Sequence, residues 1–104
     1  MRIVVHPEAS AELEAAAVWY EENAGLGGGL LAEAERAIAL IEEAPETWPV
    51  WAKAPRPGVR RFFFGRFHYA AVYVLREDHV LIAAFAHLRR HPAYWVHRLR
   101  DRDE

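Results

Sequence analysis

The chain has 104 residues, 53% of them apolar and 27% charged, which fits one globular domain and excludes a fibrous or intrinsically disordered chain. It contains no cysteine, so disulfides and thiolate metal sites are excluded. The net charge is only −2, but it is unevenly placed: residues 1–52 carry two basic and ten acidic side chains, and residues 53–104 carry eleven basic and five acidic. A basic half rich in aromatics suits nucleic acid or an acidic protein surface as partner.

The first residues, Met1-Arg2-Ile3-Val4-Val5-His6-Pro7, lack the apolar core and small-residue cleavage site of a signal peptide. The longest apolar runs, Tyr69–Leu75 and Val80–Ala86, are seven residues each, against the roughly 18 that a membrane span needs. The expectation is a cytoplasmic protein of one domain, residues 1–104, with no membrane partner.

Arg2–Val5 is a short β-rich run closed by Pro7, and reads as a first strand. Pro7 then stands where helices accept proline, at the first position. Ala9, Leu13, Ala16, Tyr20 and Ala24 recur at helical spacing, with Glu8, Glu12 and Glu22 off the stripe. Gly25 supplies the stop. A second helix places Leu30, Ala34, Ala37, Ile38 and Ile41 on one face and ends at Pro45. The spacing predicts helices over about 7–24 and 27–44, paired as an antiparallel hairpin. Gly27-Gly28-Gly29 has neither a preceding strand nor a following Lys-Ser/Thr, so it reads as a weak helix start and not a phosphate loop.

Pro49, Pro55 and Pro57 forbid regular structure across 46–58, where Trp48 and Trp51 are expected to pin the chain to the body. The period then changes to two. Val59–Phe64 reads as a strand, Gly65-Arg66 as a tight turn, and Phe67–Leu75 as a central strand, apolar on both faces. Arg76–His79 is the next turn and Val80–Ala86 the last strand. The order β-α-α-β-β-β predicts an α+β fold: an antiparallel sheet with the N-terminal helical hairpin packed on one face.

The unusual chemistry lies after the last strand, in His87-Leu88-Arg89-Arg90-His91-Pro92-Ala93-Tyr94-Trp95-Val96-His97-Arg98. Arginine grips phosphate or carboxylate bidentately, and aromatics stack on bases or fill partner pockets. His87, His91 and His97 have no carboxylate ligand within the cluster, and Pro92 interrupts a continuous helix, so no metal and no cofactor are expected. Two readings remain. His68, His87, Tyr94 and the arginines could serve acid–base cleavage of RNA, or the cluster could be a contact surface. Trp95 is expected in the core and Arg98 at a solvated basic end.

The chain resembles the RelE/ParE toxin superfamily, in its ParE-like, plasmid-stabilisation branch. The likeness rests on Val5-His6-Pro7-Glu8-Ala9, Trp19-Tyr20-Glu21-Glu22, Ile41-Glu42-Glu43-Ala44-Pro45, Arg60-Arg61, Arg66-Phe67-His68-Tyr69, Val72-Tyr73, and the run from His87 to Trp95. The resemblance implies the toxin of a type II toxin–antitoxin pair, neutralised by a cognate antitoxin that wraps the helices and sheet. Its target would be DNA gyrase, poisoned by binding, or the ribosome and mRNA, cut without a metal. In the nuclease alternative His87, Arg90 and Tyr94 would be catalytic; a third alternative is a non-toxic member that only binds its antitoxin. Nuclease-type members resemble one another in an arginine on the central strand where this chain has Ala70, and can carry a basic group where it has Leu88. The resemblance therefore favours binding, with Arg60, Arg61, Arg66, Arg89, Arg90 and Tyr94 as target contacts. Val18, Trp19 and Leu40 lie off the core stripes of their helices and are expected to meet the antitoxin.

Overall fold

The elements occur in the order read from the sequence. In the computed structural model, which describes residues 1–100, strand β1 (Arg2–Val5) leads into helices α1 (Pro7–Ala24) and α2 (Gly27–Glu43). A 3-10 turn (Pro45–Thr47) follows, then strands β2 (Val59–Phe63), β3 (Tyr69–Leu75) and β4 (His79–His87), and a C-terminal 3-10 helix (Pro92–Leu99). Residues 101–104 of the expected domain lie outside the described residues.

Helix α1 starts with Pro7 at its first turn, and the Nδ1 of His6 accepts the backbone N–H of Glu8 at 3.1 Å. It stops at Gly25, whose φ of 66° puts the chain in the left-handed region. The N–H groups of Gly25 and Leu26 return to the carbonyls of Glu21 and Tyr20, both at 3.1 Å. The glycine run then opens α2 as expected. Leu26 gives no side-chain cap; instead Glu21 Oε1 accepts the N–H of Gly27 at 3.1 Å. A Cβ on Gly27 would stand 2.6 Å from the carbonyl oxygen of Ala17, so a glycine there lets the two helices close.

The sheet order is β1-β4-β3-β2. The three strands β2, β3 and β4 form the expected antiparallel meander. Strand β1 departs from the antiparallel expectation, pairing parallel to β4 from Arg2↔His79 to Val5↔Ile82. The helical hairpin carries the chain back across one face before β2 begins, so β1 is free to lie beside the last strand. The turn between β2 and β3 is also longer than the expected Gly65-Arg66 hairpin. Strand β2 ends at Phe63 and β3 begins at Tyr69. Phe64 and Phe67, both in the intervening loop, are each 4% exposed; the wider loop turns both rings into the core.

The helices cover one sheet face, where Leu30, Ile41, Phe62, Tyr73, Ile82 and Phe85 form the main core. The opposite face carries a second core of Val59, Val72, Val74, Ala83, Ala84, Ala86, Trp95 and Leu99. The proline-rich segment passes around the sheet edge between them: Trp48 packs 4.8 Å from Phe62 in the first core, and Trp51 lies 6.1 Å from Trp95 in the second. Among the described residues, no helix is long and apolar enough to cross a membrane.

Candidate functional site

One irregularity in β4 organises the basic end of the molecule. Val72 pairs with Ala84 and Tyr73 with Ile82, so Ala83 is an extra residue with no register partner in β3 or β1. Such a bulge breaks the alternation and frees backbone groups from the ladder. Ala83 and Ala84 both join the second core, and Phe85 returns to the first. The Ala83 carbonyl accepts a hydrogen bond from Arg98 Nη1 at 3.2 Å, and the N–H of Phe85 donates to Glu12 Oε1 at 3.3 Å. Arg98 Nη1 also donates to that same Glu12 oxygen at 2.7 Å. Arg98 is 7% exposed, so the solvated position expected from the sequence is overturned. Its charge is matched by Glu12 and by Glu8 at 3.8 Å, two acids of α1 that lie off the helix's apolar stripe.

The same network holds Arg90 and Tyr94. The Arg90 guanidinium lies 3.6 Å from the Tyr94 ring centre, and its Nη1 is 3.8 Å from Glu12 Oε2. The Tyr94 hydroxyl and Glu12 Oε2 are both buried. Burial, and then the Glu12 carboxylate, push the Tyr94 phenol well above its ordinary range. Burial followed by Tyr20 and Glu12 raises Tyr69 in the same direction.

His87 closes β4 and is half-buried, with its ring 5.2 Å from Tyr69 and 6.4 Å from His68. Its Nδ1 accepts the backbone N–H of Arg89 at 3.1 Å. With Nδ1 engaged by that backbone N–H, Nε2 is the ring nitrogen left for a further hydrogen bond. His91 uses the same geometry to cap the C-terminal 3-10 helix, accepting from Ala93 at 3.2 Å. His97 reaches away to Glu8, 3.1 Å from its Nε2. The three histidines of the cluster thus serve three different partners.

His87 and Arg90 form the wall between two clefts. One, of about 100 Å³, is lined by Trp51, Arg61, Ala70, Val72, Ala86, Leu88, Pro92 and Trp95. The other, of about 220 Å³, is bounded by Glu12, Ala15, Ala16, Tyr69, Phe85 and Tyr94. Of the residues singled out in the sequence, Arg61, His87, Arg90 and Tyr94 therefore converge, and Arg89 lies exposed beside them. Two lie elsewhere. Arg60 donates to the Trp48 carbonyl at 2.6 Å and holds the proline-rich segment, whereas Arg66 lies 5.2 Å from the Phe67 ring centre, against the first turn of α2. Ala70 is 1% exposed on the floor of the smaller cleft.

Val18 and Trp19 are 56% and 58% exposed on α1, and Leu31 of α2 is 40% exposed. Leu40 is less open than these three. It is half-buried and packs on the main core, because α2 is covered on a wider face than its stripe suggested.

No curated protein matches the chain. A chain from a solved structure of a chromosomal ParDE toxin–antitoxin system of P. aeruginosa has the same fold, with a TM-score of 0.72 at 16% identity, covering 84% of this chain and 95% of that one. The model of the family described as ParE toxin of type II toxin–antitoxin system, parDE, matches residues 3–92. With that match spanning most of its length, this chain belongs to the ParE toxin family, the toxins of type II toxin–antitoxin systems.

Proposed function

We propose that this toxin arrests growth by binding a macromolecular target through its basic C-terminal end, with DNA gyrase the candidate its family supplies, and that it performs no chemistry on RNA. The observation that carries this reading is the burial of the Tyr94 hydroxyl beside Glu12. A phenol raised by burial and by a facing carboxylate holds its proton too tightly to serve as an acid near neutral pH. Arg90 lies on the same ring, and His87 Nδ1 accepts a backbone N–H. The Tyr94 hydroxyl and the His87 Nδ1 are thus engaged within the fold, while Arg61, Arg89 and the exposed part of Arg90 remain for contact. We further propose that a cognate antitoxin neutralises the protein by covering Val18 and Trp19, which leave a large apolar area open on α1.

The test is induced expression with two parallel readouts. A DNA-damage response with filamentation, intact mRNA, and inhibition of purified gyrase is the expected outcome. Translation arrest with site-specific mRNA cuts assigns the nuclease activity instead, and normal growth assigns a member that only binds its antitoxin.

A further inference from the structure

Arg61 differs from the other arginines of this end of the molecule. Arg60, Arg90 and Arg98 each meet a backbone carbonyl or a carboxylate. Arg61 is half-buried on β2 with its guanidinium 3.7 Å from the Trp51 ring centre and 4.9 Å from that of Phe63. Among the described residues no carboxylate and no hydrogen-bond acceptor meets it. A guanidinium presents five donors in a fixed fork. Taking such a group partly out of water without an acceptor costs stability, and burial lowers the Arg61 pKa accordingly.

Arg61 lines the 100 Å³ cleft. The floor is made of small side chains, Ala70, Val72 and Ala86, all buried, and Trp51 and Trp95 form the walls. This space is several times what a single water requires, and somewhat smaller than the roughly 150 Å³ apolar cavity that accepts a benzene ring. It has room for one aliphatic side chain. Its lining includes Arg61, Arg90 and His87 and no acidic residue.

We propose that this cleft is a recognition pocket for an acidic, apolar segment of a protein partner: one aliphatic side chain enters over Ala70 and Ala86, and a neighbouring carboxylate closes bidentately on Arg61. The pocket rests on the reading of the chain as a binding toxin and gives the chemistry of what it binds. A protein segment fits better than a single-stranded nucleic acid. Bases are held without sequence preference by stacking on open aromatic faces, and the rings that line this cleft offer little such area. The Trp51 face carries Arg61, the Tyr94 face carries Arg90, and Trp95 is 1% exposed. A carboxylate, by contrast, needs only the edge of the guanidinium fork, which stacking leaves free.

The experiment follows the indole N–H signals of Trp51 and Trp95 by NMR in the purified full chain. N-acetyl-leucyl-glutamate, N-acetyl-leucinamide and uridine 5′-monophosphate are titrated in turn. The acidic dipeptide is expected to shift both indoles in a saturating manner, with a Kd on the order of 1 mM. The amide should bind about tenfold more weakly, because it leaves Arg61 unmatched. Arg61→Gln should remove that advantage while the remaining spectrum reports an intact fold, and Ala70→Leu should fill the floor and abolish the response. A dipeptide that never saturates, or an amide that binds equally well, overturns the pocket. So does an Arg61→Gln protein that keeps the preference. A nucleotide that shifts both indoles more strongly than the dipeptide overturns the assignment to a protein partner. These readings need neither toxicity nor gyrase, so their failure is separable from failure of the binding-toxin reading.

Discussion

Arg98 donates to Glu12 at 2.7 Å although 86 positions separate the two residues in sequence. The bond ties the C-terminal 3-10 helix to α1 over the bulge at Ala83. Both side chains are largely withdrawn from solvent, so the pair stabilises only while it is complete. Removing one partner of a buried pair strands the other charge and costs about 3–5 kcal/mol. Glu12→Gln and Arg98→Met should each lower stability by about that amount in denaturant unfolding. The double variant Glu12→Gln/Arg98→Met should recover part of the loss, since no uncompensated buried charge remains; Arg90 and Glu8, which also lose a partner, are exposed.

Tyr73 makes a second long-range tie. Its hydroxyl donates to the Pro45 carbonyl at 2.6 Å, and burial raises the phenol from 10.0 to about 12. The folded state therefore holds this proton after the unfolded chain has released it. The contribution is fully present below the unfolded pKa and is lost as pH rises toward about 12. Tyr69 and Tyr94 are raised as well and act in the same alkaline direction. Urea unfolding at about pH 8 and about pH 11 should show a fall in stability that is smaller in Tyr73→Phe. At the lower pH the variant should cost about 1 kcal/mol for the lost hydrogen bond.

The glycines that open α2 are not equivalent. A methyl group on Gly27 would meet the Ala17 carbonyl at 2.6 Å and Glu21 Cβ at 2.9 Å, whereas nothing lies within 4 Å of one on Gly28. Gly27→Ala must push the helices apart and should cost about 1–3 kcal/mol, the range of an overpacked contact. Gly28→Ala should stabilise by about 0.5–1 kcal/mol, by restricting the unfolded chain and favouring the helix. Thermal midpoints that move in opposite directions check both statements; equal shifts would mean that the hairpin is looser than described.

Toxicity separates contact from catalysis. His87→Gln keeps a hydrogen-bonding side chain but removes the imidazole's capacity for proton transfer. It should leave growth inhibition nearly intact, whereas Arg89→Ala combined with Arg90→Ala should weaken it strongly. Loss of an essential acid or base would instead cost about 10²–10⁴-fold in RNA cleavage rate. Folding of each variant is checked first by circular dichroism, because His87 Nδ1 also bonds the backbone at Arg89. A folded His87→Gln protein that has lost toxicity and RNA cleavage together would overturn the binding reading.

The amino-acid sequence by itself determined whatever depends on neighbours along the chain. The apolar spacing of Ala9, Leu13, Ala16 and Tyr20, closed by Pro7 and Gly25, set the bounds of α1, because helix periodicity and capping are local. The period-two run through Tyr73 marked β3, and the density of Arg90, His87 and Tyr94 marked the end of the molecule where the clefts form. Tertiary structure alone decided the rest. No local signal places β1 parallel to β4, since strand pairing is settled by how the helical hairpin crosses the sheet. Glu12 reads as a solvent-facing acid and Arg98 as a surface cation until the Ala83 bulge brings a free carbonyl and a free N–H between them. Only that meeting of α1, β4 and the C-terminal 3-10 helix buries the Tyr94 hydroxyl and turns a set of reactive residue types into a fixed, charged surface.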